Sequence, residues 1–448
     1  MERTLICETP KKAGEKVKLA GWVNIKRDHG KITFIDLKDR SGIVQLVGDG
    51  KNLGSLRAQD AIEVEGKVKE RPEKLINPKI KTGKVEVEVE KVKVLSNAHE
   101  LPFDMGKEEL TLELPTLLDH RPLTLRHPKQ TAIFKVQAQV AESFRKAAIA
   151  LNCTEIFVPT IAVSSTEGGS EVFRVDYYEH KAYLTQSPQL YKQIMVGALE
   201  RVYTFSHAYR AEPSVTTRHI SETVQMDCEI GFIESFDELL DAVEFAGKEM
   251  ISDAAKECES ELKILGVEAP LIPHKVPRLK LREAQKIVEQ RTGKDLSHEM
   301  DLNSEDEKEL GAWARETHKS DLVIVTHYPT KKRAFYTMPD PSNPEYSLSY
   351  DMIFKGLEIL SGSQRINDYD QLVGAIKDRG MNPEDFEIYL QAFKYGMPPE
   401  GGFSFGLERV TMKLLNLENV REASLFPRDM ERVDIRLSTL NSTKPNKK

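Results

Sequence analysis

The sequence predicts an α+β protein with two parts: a small β-barrel at the N-terminus, and a larger domain in which helices flank an antiparallel β-sheet. Short segments that alternate apolar and polar residues fill most of the first hundred positions. A helical repeat of apolar residues begins at Ile133, and further alternating segments follow it. These observations place helices and strands in separate runs, which is typical of α+β domains.

The N-terminal domain is predicted over residues 1–98. Between Lys16 and Val94 lie five segments rich in β-branched residues, and the turn signals Asp28-His29-Gly30 and Asp39-Arg40-Ser41-Gly42 separate some of them. Five short strands without a long helix suit a small closed barrel of the OB-fold type. Residues 99–126 contain Leu-Pro and Arg-Pro pairs without a clear period, and we interpret them as a hinge.

The second domain is predicted over residues 127–440. Apolar residues recur at helical spacing from Ile133 to Leu151. From Thr223 to Phe232, apolar and polar residues alternate, which predicts a strand with one apolar and one polar face. Strands are also expected at "DLVIVTHYP", "AFYTM" and "DMIFKGLEIL", whereas the charged segment 236–320 is expected to be helical. Residues 441–448 form a polar tail.

Composition excludes several classes of protein. The 448 residues include 64 Lys+Arg and 71 Asp+Glu, and this ordinary balance argues against long disorder. No apolar run is long enough for a membrane helix, so no membrane association is expected. Four widely spaced cysteines suit neither a disulfide framework nor a zinc knuckle, so we expect a reducing cytoplasm.

Charge is distributed unevenly along the chain. Residues 1–100 carry a net charge of +5 and the remainder −12. A basic N-terminal module could contact phosphates, although a solvated charged surface without a ligand would look the same.

The segment 205–222 concentrates ionisable residues between two strand-like runs. Arg210, Glu212, Arg218, His219 and Glu222 lie within thirteen positions around a Pro-containing turn. Guanidinium groups bind phosphate oxygens as a bidentate fork, so this hairpin is a candidate polyphosphate clamp. The alternative is an exposed network of ion pairs.

Two further segments carry candidate site residues. Glu358, Ser361 and Arg365 lie close together in an otherwise apolar strand, where a carboxylate and a hydroxyl could hold Mg²⁺; a strand end with a Ser-Gly bulge is the alternative. In 401–415, glycines lead into an apolar helix and place Arg409 near its start. A cation there works against the helix dipole, which makes better sense if an anion binds beside it. A glycine-rich turn with an incidental arginine is the alternative, and it is common.

In combination these segments resemble motifs 2 and 3 of the class II aminoacyl-tRNA synthetases. Pro159 stands where motif 1 of that family keeps its dimer-interface proline, and the class I signatures HIGH and KMSKS are absent. The segments "TEGGSEVF", "TQSPQLYKQ", "GSQRINDYD" and "FKYGMPPEGGF" narrow the resemblance to aspartyl-tRNA synthetases of the shorter form without the bacterial insertion domain.

The resemblance implies ATP and Mg²⁺ as ligands of the second domain. Arg210, Glu358 and Arg409 would be catalytic, and Glu358 and Ser361 would hold the metal ion. Further positions match the ATP contacts of the family: Ala211, Glu212, Arg218, His219, Ile220, Gly406, Leu407 and Glu408.

The resemblance also implies L-aspartate as the amino acid. The matching positions are Glu167, Gln189, Leu190, Tyr191, Lys192, Arg210, Ser361 and Arg365. Lys192 and Arg365 would face the side-chain carboxylate, and a neutral amide would leave both cations poorly compensated. Asparaginyl-tRNA synthetases are similar but usually have a neutral residue at the position of Lys192, so this lysine favours aspartate over the asparagine alternative.

In the barrel, Phe34 matches a position that stacks on an anticodon base, Gln45 one that hydrogen-bonds it, and Arg27 lies on the same motif. A barrel-core role for Phe34 is the alternative. The resemblance implies a homodimer that charges tRNA(Asp), with tRNA(Asn) an open possibility. A synthetase-like protein that binds RNA without catalysis would be expected to lack Arg210, Glu358 or Arg409, and all three are present.

Overall fold

The computed structural model describes residues 1–163, 171–213 and 215–440. The chain divides into two compact units, Met1–Glu113 and Leu114–Lys448, and the boundary falls within the predicted hinge. The second half of that hinge is not irregular, because it forms the short helices α2 and α3 given below. The polar tail lies outside the described residues.

The first unit is a closed five-stranded barrel, which confirms the predicted OB-fold. Its elements are β1 (Lys16–His29), β2 (Ile32–Asp39), β3 (Gly42–Asp49), α1 (Gly50–Leu53), β4 (Ala61–Glu70) and β5 (Val85–Ser96). The strands close in the order β1-β2-β3-β5-β4, with β3 and β5 parallel. Alternate residues such as Leu19, Ile35, Leu37 and Leu46 fill the interior, which is why the sequence alternates there.

The second unit combines one large sheet with helices and a small three-stranded sheet. Its helices are α2 (Leu114–Asp119), α3 (Arg121–Thr124), α4 (Pro128–Ala150), α5 (Gln189–Leu199), α6 (Phe236–Glu257), α7 (Glu259–Leu265), α8 (Leu281–Thr292), α9 (Ser304–His318), α10 (Tyr369–Asp378), α11 (Glu387–Lys394) and α12 (Leu407–Leu414). Its strands are β6 (Thr154–Glu155), β7 (Ile161–Ala162), β8 (Arg174–Tyr177), β9 (His180–Leu184), β10 (Arg201–Tyr209), β11 (Glu222–Gly231), β12 (Arg278–Lys280), β13 (Leu322–Thr326), β14 (Ser349–Phe354), β15 (Leu357–Gln364) and β16 (Glu400–Gly406).

The large sheet has eight strands in the order β12-β13-β14-β15-β16-β11-β10-β6. The pairs from β13 to β10 are antiparallel, which confirms the predicted antiparallel sheet for its centre. The two edge strands, β12 and β6, pair in parallel with their neighbours, so the sheet as a whole is mixed. Helices α6, α7, α8 and α9 lie in the charged segment 236–320, which also contributes β12.

Helix α4 packs its apolar stripe against one face of this sheet. Val136, Val140 and Phe144 are fully buried in the largest hydrophobic cluster, together with residues of α6 and of the sheet. Phe144 makes an edge-to-face contact with Phe405 of β16, with ring centroids 6.0 Å apart. The predicted helical repeat is therefore the contact surface between helix and sheet.

Strand β11 has the predicted apolar and polar faces, and both of them are buried around its centre. Met226, Cys228 and Ile230 face the hydrophobic cluster as expected, but the alternate residues Asp227 and Glu229 are also completely buried. Both faces of the strand are therefore covered, and the polar face belongs to the interior of a site.

The segment 334–338, predicted as a strand, does not join the sheet. It forms turns and isolated bridges, including one between Thr337 and Arg365. Pro339 and Pro341 follow directly and cannot donate to a ladder, while Phe335 and Tyr336 are buried in a separate cluster with residues of α10 and α11. Within the described residues, no helix is long and apolar enough to cross a bilayer.

Candidate active site

A cavity of about 420 Å³ lies on the polar face of the large sheet. Its floor is formed by β11, β15 and β16, and loops before β11 and β14 form part of its walls. Arg210, Glu358 and Arg409, which come from distant parts of the sequence, all line it.

Most of the other residues singled out in the second domain also line this cavity: Glu212, Arg218, His219, Ile220, Gln189, Lys192, Ser361, Arg365, Gly406 and Glu408. Four do not. Leu190 and Leu407 pack into hydrophobic clusters, and Ala211 and Tyr191 are partly buried outside the wall. Glu167 lies outside the described residues.

The loop that joins β10 to β11 supplies one end of the cavity. The Arg210 side chain is 45% exposed, and its Nη1 lies 4.0 Å from a carboxylate oxygen of Glu212. Glu212 also lies 4.0 Å from the Nδ1 of His219. Burial, followed by the charge of Arg409, lowers the pKa of His219, so this imidazole is neutral at neutral pH. Arg210 is thus the least compensated cation of this loop.

Arg218 and Arg409 are held by contacts to neighbouring elements. The Nη1 of Arg218 donates to both carboxylate oxygens of Glu307 on α9, each at 3.2 Å, and Glu307 also accepts the backbone N–H of Glu358 at 3.1 Å. The Nη1 of Arg409 donates to the carbonyl oxygen of Glu358 at 3.1 Å. Arg409 therefore contacts the start of β15 directly, and Arg218 is linked to it through Glu307.

Glu358 and Ser361 fit a Mg²⁺ ion that takes its remaining ligands from phosphate and water. Burial and the neighbouring Asp351 raise the pKa of Glu358 to about 7, which is expected where several carboxylates meet. The described residues contain no group of three or more His, Cys, Asp or Glu arranged for a metal. A single carboxylate with a hydroxyl suits Mg²⁺, which usually binds through one or two carboxylates and substrate phosphates.

At the other end of the cavity lies a buried cluster of two cations and two carboxylates. The Nζ of Lys192 is 2.8 Å from Asp227 Oδ1 and 3.1 Å from Glu229 Oε2. The Nε of Arg365 donates to Glu229 Oε1 at 2.6 Å. Burial alone would lower the pKa of Lys192, but Asp227 and Glu229 together raise it, so the lysine is charged. The four groups compensate one another.

Contrary to the expectation from the sequence, Lys192 and Arg365 do not depend on the substrate for compensation of their charge, because Asp227 and Glu229 already provide it. Lys192 and Arg365 line the cavity, whereas Asp227 and Glu229 lie behind them and do not. The wall that a ligand meets is therefore cationic although the cluster is neutral overall. Gly402 of β16 makes this packing possible, because a Cβ there would overlap the Glu229 carboxylate.

A second set of polar residues supports this end of the cavity from below. Gln193 donates to Glu400 at 2.8 Å and accepts from Gln189 at 2.9 Å and from the hydroxyl of Tyr389 at 3.1 Å. Burial and the nearby Glu229 raise the pKa of Glu400 well above its usual value. The orientation of the Gln189 amide is thereby fixed by residues that do not reach the cavity themselves.

No sequence pattern identified Asp227, Glu229, Glu307, Arg333 or Asp351 as part of the site. The first two were part of the alternating pattern of β11, but alternation alone does not distinguish a solvated face from the wall of a cavity. Glu307 lies in a highly charged segment where no pattern distinguishes one acid from another.

The barrel carries the three residues predicted to contact an anticodon. Phe34 of β2 lies opposite Arg27 of β1 and alternates with the buried Ile35, so it is on the outer surface rather than in the barrel core. Arg27 makes a bidentate contact with Asp36, at 3.1 and 2.8 Å. Gln45 is nearly buried and donates to Glu86 at 3.2 Å.

Comparison with known proteins assigns the family. Residues 113–430 match the family described as tRNA synthetases class II (D, K and N), and residues 17–95 match the OB-fold nucleic acid binding domain. The chain belongs to the class II tRNA synthetases.

Relatives resemble this synthetase over nearly their whole length. The aspartate–tRNA(Asp/Asn) ligase of Thermus thermophilus is 43% identical over 96% of the chain and 99% of that protein. The aspartate–tRNA(Asp) ligase of Pyrococcus furiosus is 40% identical over 94% of the chain and 96% of that protein. Among solved structures, asparaginyl-tRNA synthetase from Pyrococcus horikoshii with asparaginyl-adenylate has a TM-score of 0.86 and 30% identity, covering 97% of the chain and 99% of that structure.

Replacing Lys192 tests the buried cluster. We expect Lys192→Leu to lower the free energy of unfolding by about 3–5 kcal/mol, because it leaves Asp227 and Glu229 buried with one cation between them. Urea unfolding provides the measurement. Lys192→Leu combined with Asp227→Asn removes one charge of each sign and should lose less; an equal or greater loss in the double variant would contradict mutual compensation.

Glu408 provides a pH test. Its two carboxylate oxygens accept the backbone N–H of Val224 at 3.1 Å, and burial raises its pKa from the usual 4.5 to about 7. The folded protein therefore binds a proton more tightly than the unfolded chain, and Glu408 lowers stability as pH rises from about 4.5 to 7.

We expect Glu408→Gln to reduce this loss of stability across the same pH interval. The measurement is urea unfolding of both proteins at several pH values. A constant difference between the two proteins from pH 4.5 to 7 would show that Glu408 does not titrate there.

Proposed function

We propose that this synthetase is an aspartate–tRNA ligase, which activates L-aspartate with ATP and transfers it to the 3′ end of tRNA(Asp). One observation supports this most strongly: Arg210, Glu358 and Arg409 share a cavity with Lys192 and Arg365. Phosphate-binding groups therefore lie at one end and cations suited to a carboxylate at the other. The names of the relatives agree with this assignment.

The first step needs little acid–base chemistry from the protein. The α-carboxylate of aspartate is ionised at neutral pH and attacks the α-phosphorus of ATP, and pyrophosphate leaves. Arg210, weakly compensated and half exposed, is available to neutralise charge that builds on the phosphorus oxygens. Arg218 and Arg409 would hold the departing phosphates. Glu358 and Ser361 would hold Mg²⁺, which supplies further charge neutralisation when bound.

The second step joins the activated aspartate to tRNA. A ribose hydroxyl at the 3′ end of the tRNA attacks the mixed anhydride between aspartate and adenylate, and AMP leaves. Positioning and electrostatic stabilisation again carry the reaction, since the anhydride is already activated.

Selection of aspartate over asparagine follows from the donors that face the ligand. Lys192 and Arg365 present only N–H groups to the cavity, because neither side chain has an acceptor. A carboxylate can accept from both. The amide of asparagine would direct its own N–H₂ toward one of these donors. That donor would then have no acceptor in the ligand, which disfavours binding of asparagine. The similarity to an asparaginyl-tRNA synthetase makes asparagine the rival substrate.

The proposal of a tRNA partner is based on the barrel. Phe34 is on the outer surface with Arg27 opposite it, an arrangement suited to stacking on a single-stranded base. Relatives are named both for tRNA(Asp) alone and for tRNA(Asp/Asn). We propose tRNA(Asp) as a substrate, and the charging experiment below also measures tRNA(Asn). A protein that binds RNA without catalysis is less well supported, since all three catalytic positions line the cavity.

We also propose a homodimer and a cytoplasmic location. Phe157 and Val163, on either side of Pro159, are 87% and 88% exposed, which is unusual for large apolar residues on a monomer surface. Burial against a second copy of the chain would cover them. All four cysteines are free thiols, and Cys153, Cys228 and Cys258 are buried, as suits a reducing compartment.

Pyrophosphate exchange tests the amino acid. Purified protein with ATP and aspartate should incorporate labelled pyrophosphate into ATP, and asparagine should not support exchange. Exchange with asparagine alone would reverse the assignment, and no exchange with either amino acid would favour the non-catalytic alternative. Charging of transcribed tRNA(Asp) and tRNA(Asn) with labelled aspartate then decides whether the enzyme discriminates between them.

Sedimentation tests the dimer. We expect the wild-type protein to sediment at twice the chain mass and Phe157→Asp to shift it toward the monomer, because a charge would be buried in the interface. Ile388→Asp, which changes another exposed apolar residue, is the matched control and should remain dimeric. A monomeric wild-type protein at micromolar concentration would contradict the proposal.

A further inference from the structure

One cation of the cavity, Arg333, has no role in the proposed reaction. Arg333 follows the 3₁₀ turn Thr330–Lys332, between β13 and β14, and lines the cavity. Its side chain is only 17% exposed. Arg333 lies outside the short motifs of the sequence that resemble the family, and its contacts indicate its role.

The guanidinium of Arg333 bridges two neighbouring strands. Its Nη2 donates to Asp351 Oδ2 of β14 at 2.7 Å, and its Nη1 donates to the Oγ of Ser361 on β15 at 3.0 Å. Asp351 and Ser361 are direct partners in the antiparallel register, so one planar group spans the pair. The guanidinium carbon also lies 3.9 Å from the ring centroid of Tyr328, which is almost fully buried.

The backbone of this segment is fixed as well. Arg379, at the end of α10, donates to the carbonyl oxygen of Thr330 at 2.8 Å and to that of Arg333 at 2.6 Å. Main chain and side chain of Arg333 are thus both restrained, so the direction of its N–H groups is fixed before a ligand binds.

This geometry restricts what the Ser361 hydroxyl can do. A hydroxyl has one O–H donor and two lone pairs, and a guanidinium can only donate. Arg333 therefore occupies one lone pair of Ser361, which leaves the O–H and the second lone pair for groups in the cavity. An ion pair with Asp351 alone would not require the contact between Arg333 and Ser361. The compact ammonium of a lysine could not contact both Asp351 and Ser361 at this geometry.

We propose that Arg333 is a positioning residue that orients the Ser361 hydroxyl to donate to a carboxylate of the bound aspartate. The inference rests on the proposed function, because Ser361 lines the same cavity as Lys192 and Arg365, the two cations proposed to face aspartate. Arg333 itself acts through Ser361 and need not touch the substrate.

The first experiment measures aspartate and ATP binding separately, by calorimetry without added metal. We expect Arg333→Met and Arg333→Lys each to weaken aspartate binding about tenfold, as loss of one charge-assisted contact would, with ATP binding nearly unchanged. The matched control is Arg278→Met: Arg278 bridges Asp241 and Glu244 at 2.5 and 2.8 Å, has a similar exposure, and lies outside the cavity.

Thermal unfolding separates this effect from a general loss of stability. Arg333→Met and Arg278→Met should have similar melting temperatures, while only the first loses affinity for aspartate. If Arg333→Met does not fold, Arg333→Lys keeps a cation beside Asp351 and carries the test. The inference would be overturned if the Arg333 variant that folds bound aspartate as tightly as Arg278→Met does.

A double-mutant cycle tests whether the effect passes through Ser361. If it does, Arg333→Met combined with Ser361→Ala should bind aspartate no more weakly than Ser361→Ala alone. Fully additive losses would overturn the inference. A wild-type protein that binds ATP but not aspartate would instead overturn the proposed function, so the two failures can be told apart.

Discussion

The neutral cluster of Lys192, Arg365, Asp227 and Glu229 is the constraint on which the rest of the site depends. It ties α5 to β11 and to the end of β15, and all four groups are almost completely removed from water. Isolated charges at such depth would be very unfavourable, so each member requires the others. The same pairing turns the cations toward the cavity and keeps the carboxylates behind them.

The register of the sheet explains how distant segments meet. Across four neighbouring strands, Asp227, Ser404, Ser361 and Asp351 stand in one row, each the direct partner of the next. Lys192 contacts one end of this row and Arg333 the other. A row of short polar side chains between two acids leaves room above the sheet, and the acids hold cations at both margins of that space.

Sequence patterns were sufficient for the barrel, for α4 and for bringing Arg210, Arg218 and Arg409 to attention, because periodicity and compact motifs report on local structure. They were insufficient for Asp227 and Glu229, because the alternation predicts a polar face but not its burial. They were also insufficient for "AFYTM", whose strand-like composition reflects burial beneath α10 and α11. Arg333, Asp351 and Glu307 come together only through long-range strand pairing and helix packing, and no local pattern contains that information.

The absence of a side chain at Gly402 has a consequence for how this chain can change. Even an alanine there would push against the carboxylate of Glu229, which in turn holds Lys192 and Arg365. A single methyl group at Gly402, which does not itself line the cavity, could therefore alter amino-acid preference without replacing any residue that contacts the ligand. In laboratory evolution toward another amino acid, Gly402 should be among the positions near the floor that tolerate substitution least. A substitution that is tolerated there should change the positions of Glu229, Lys192 and Arg365 together.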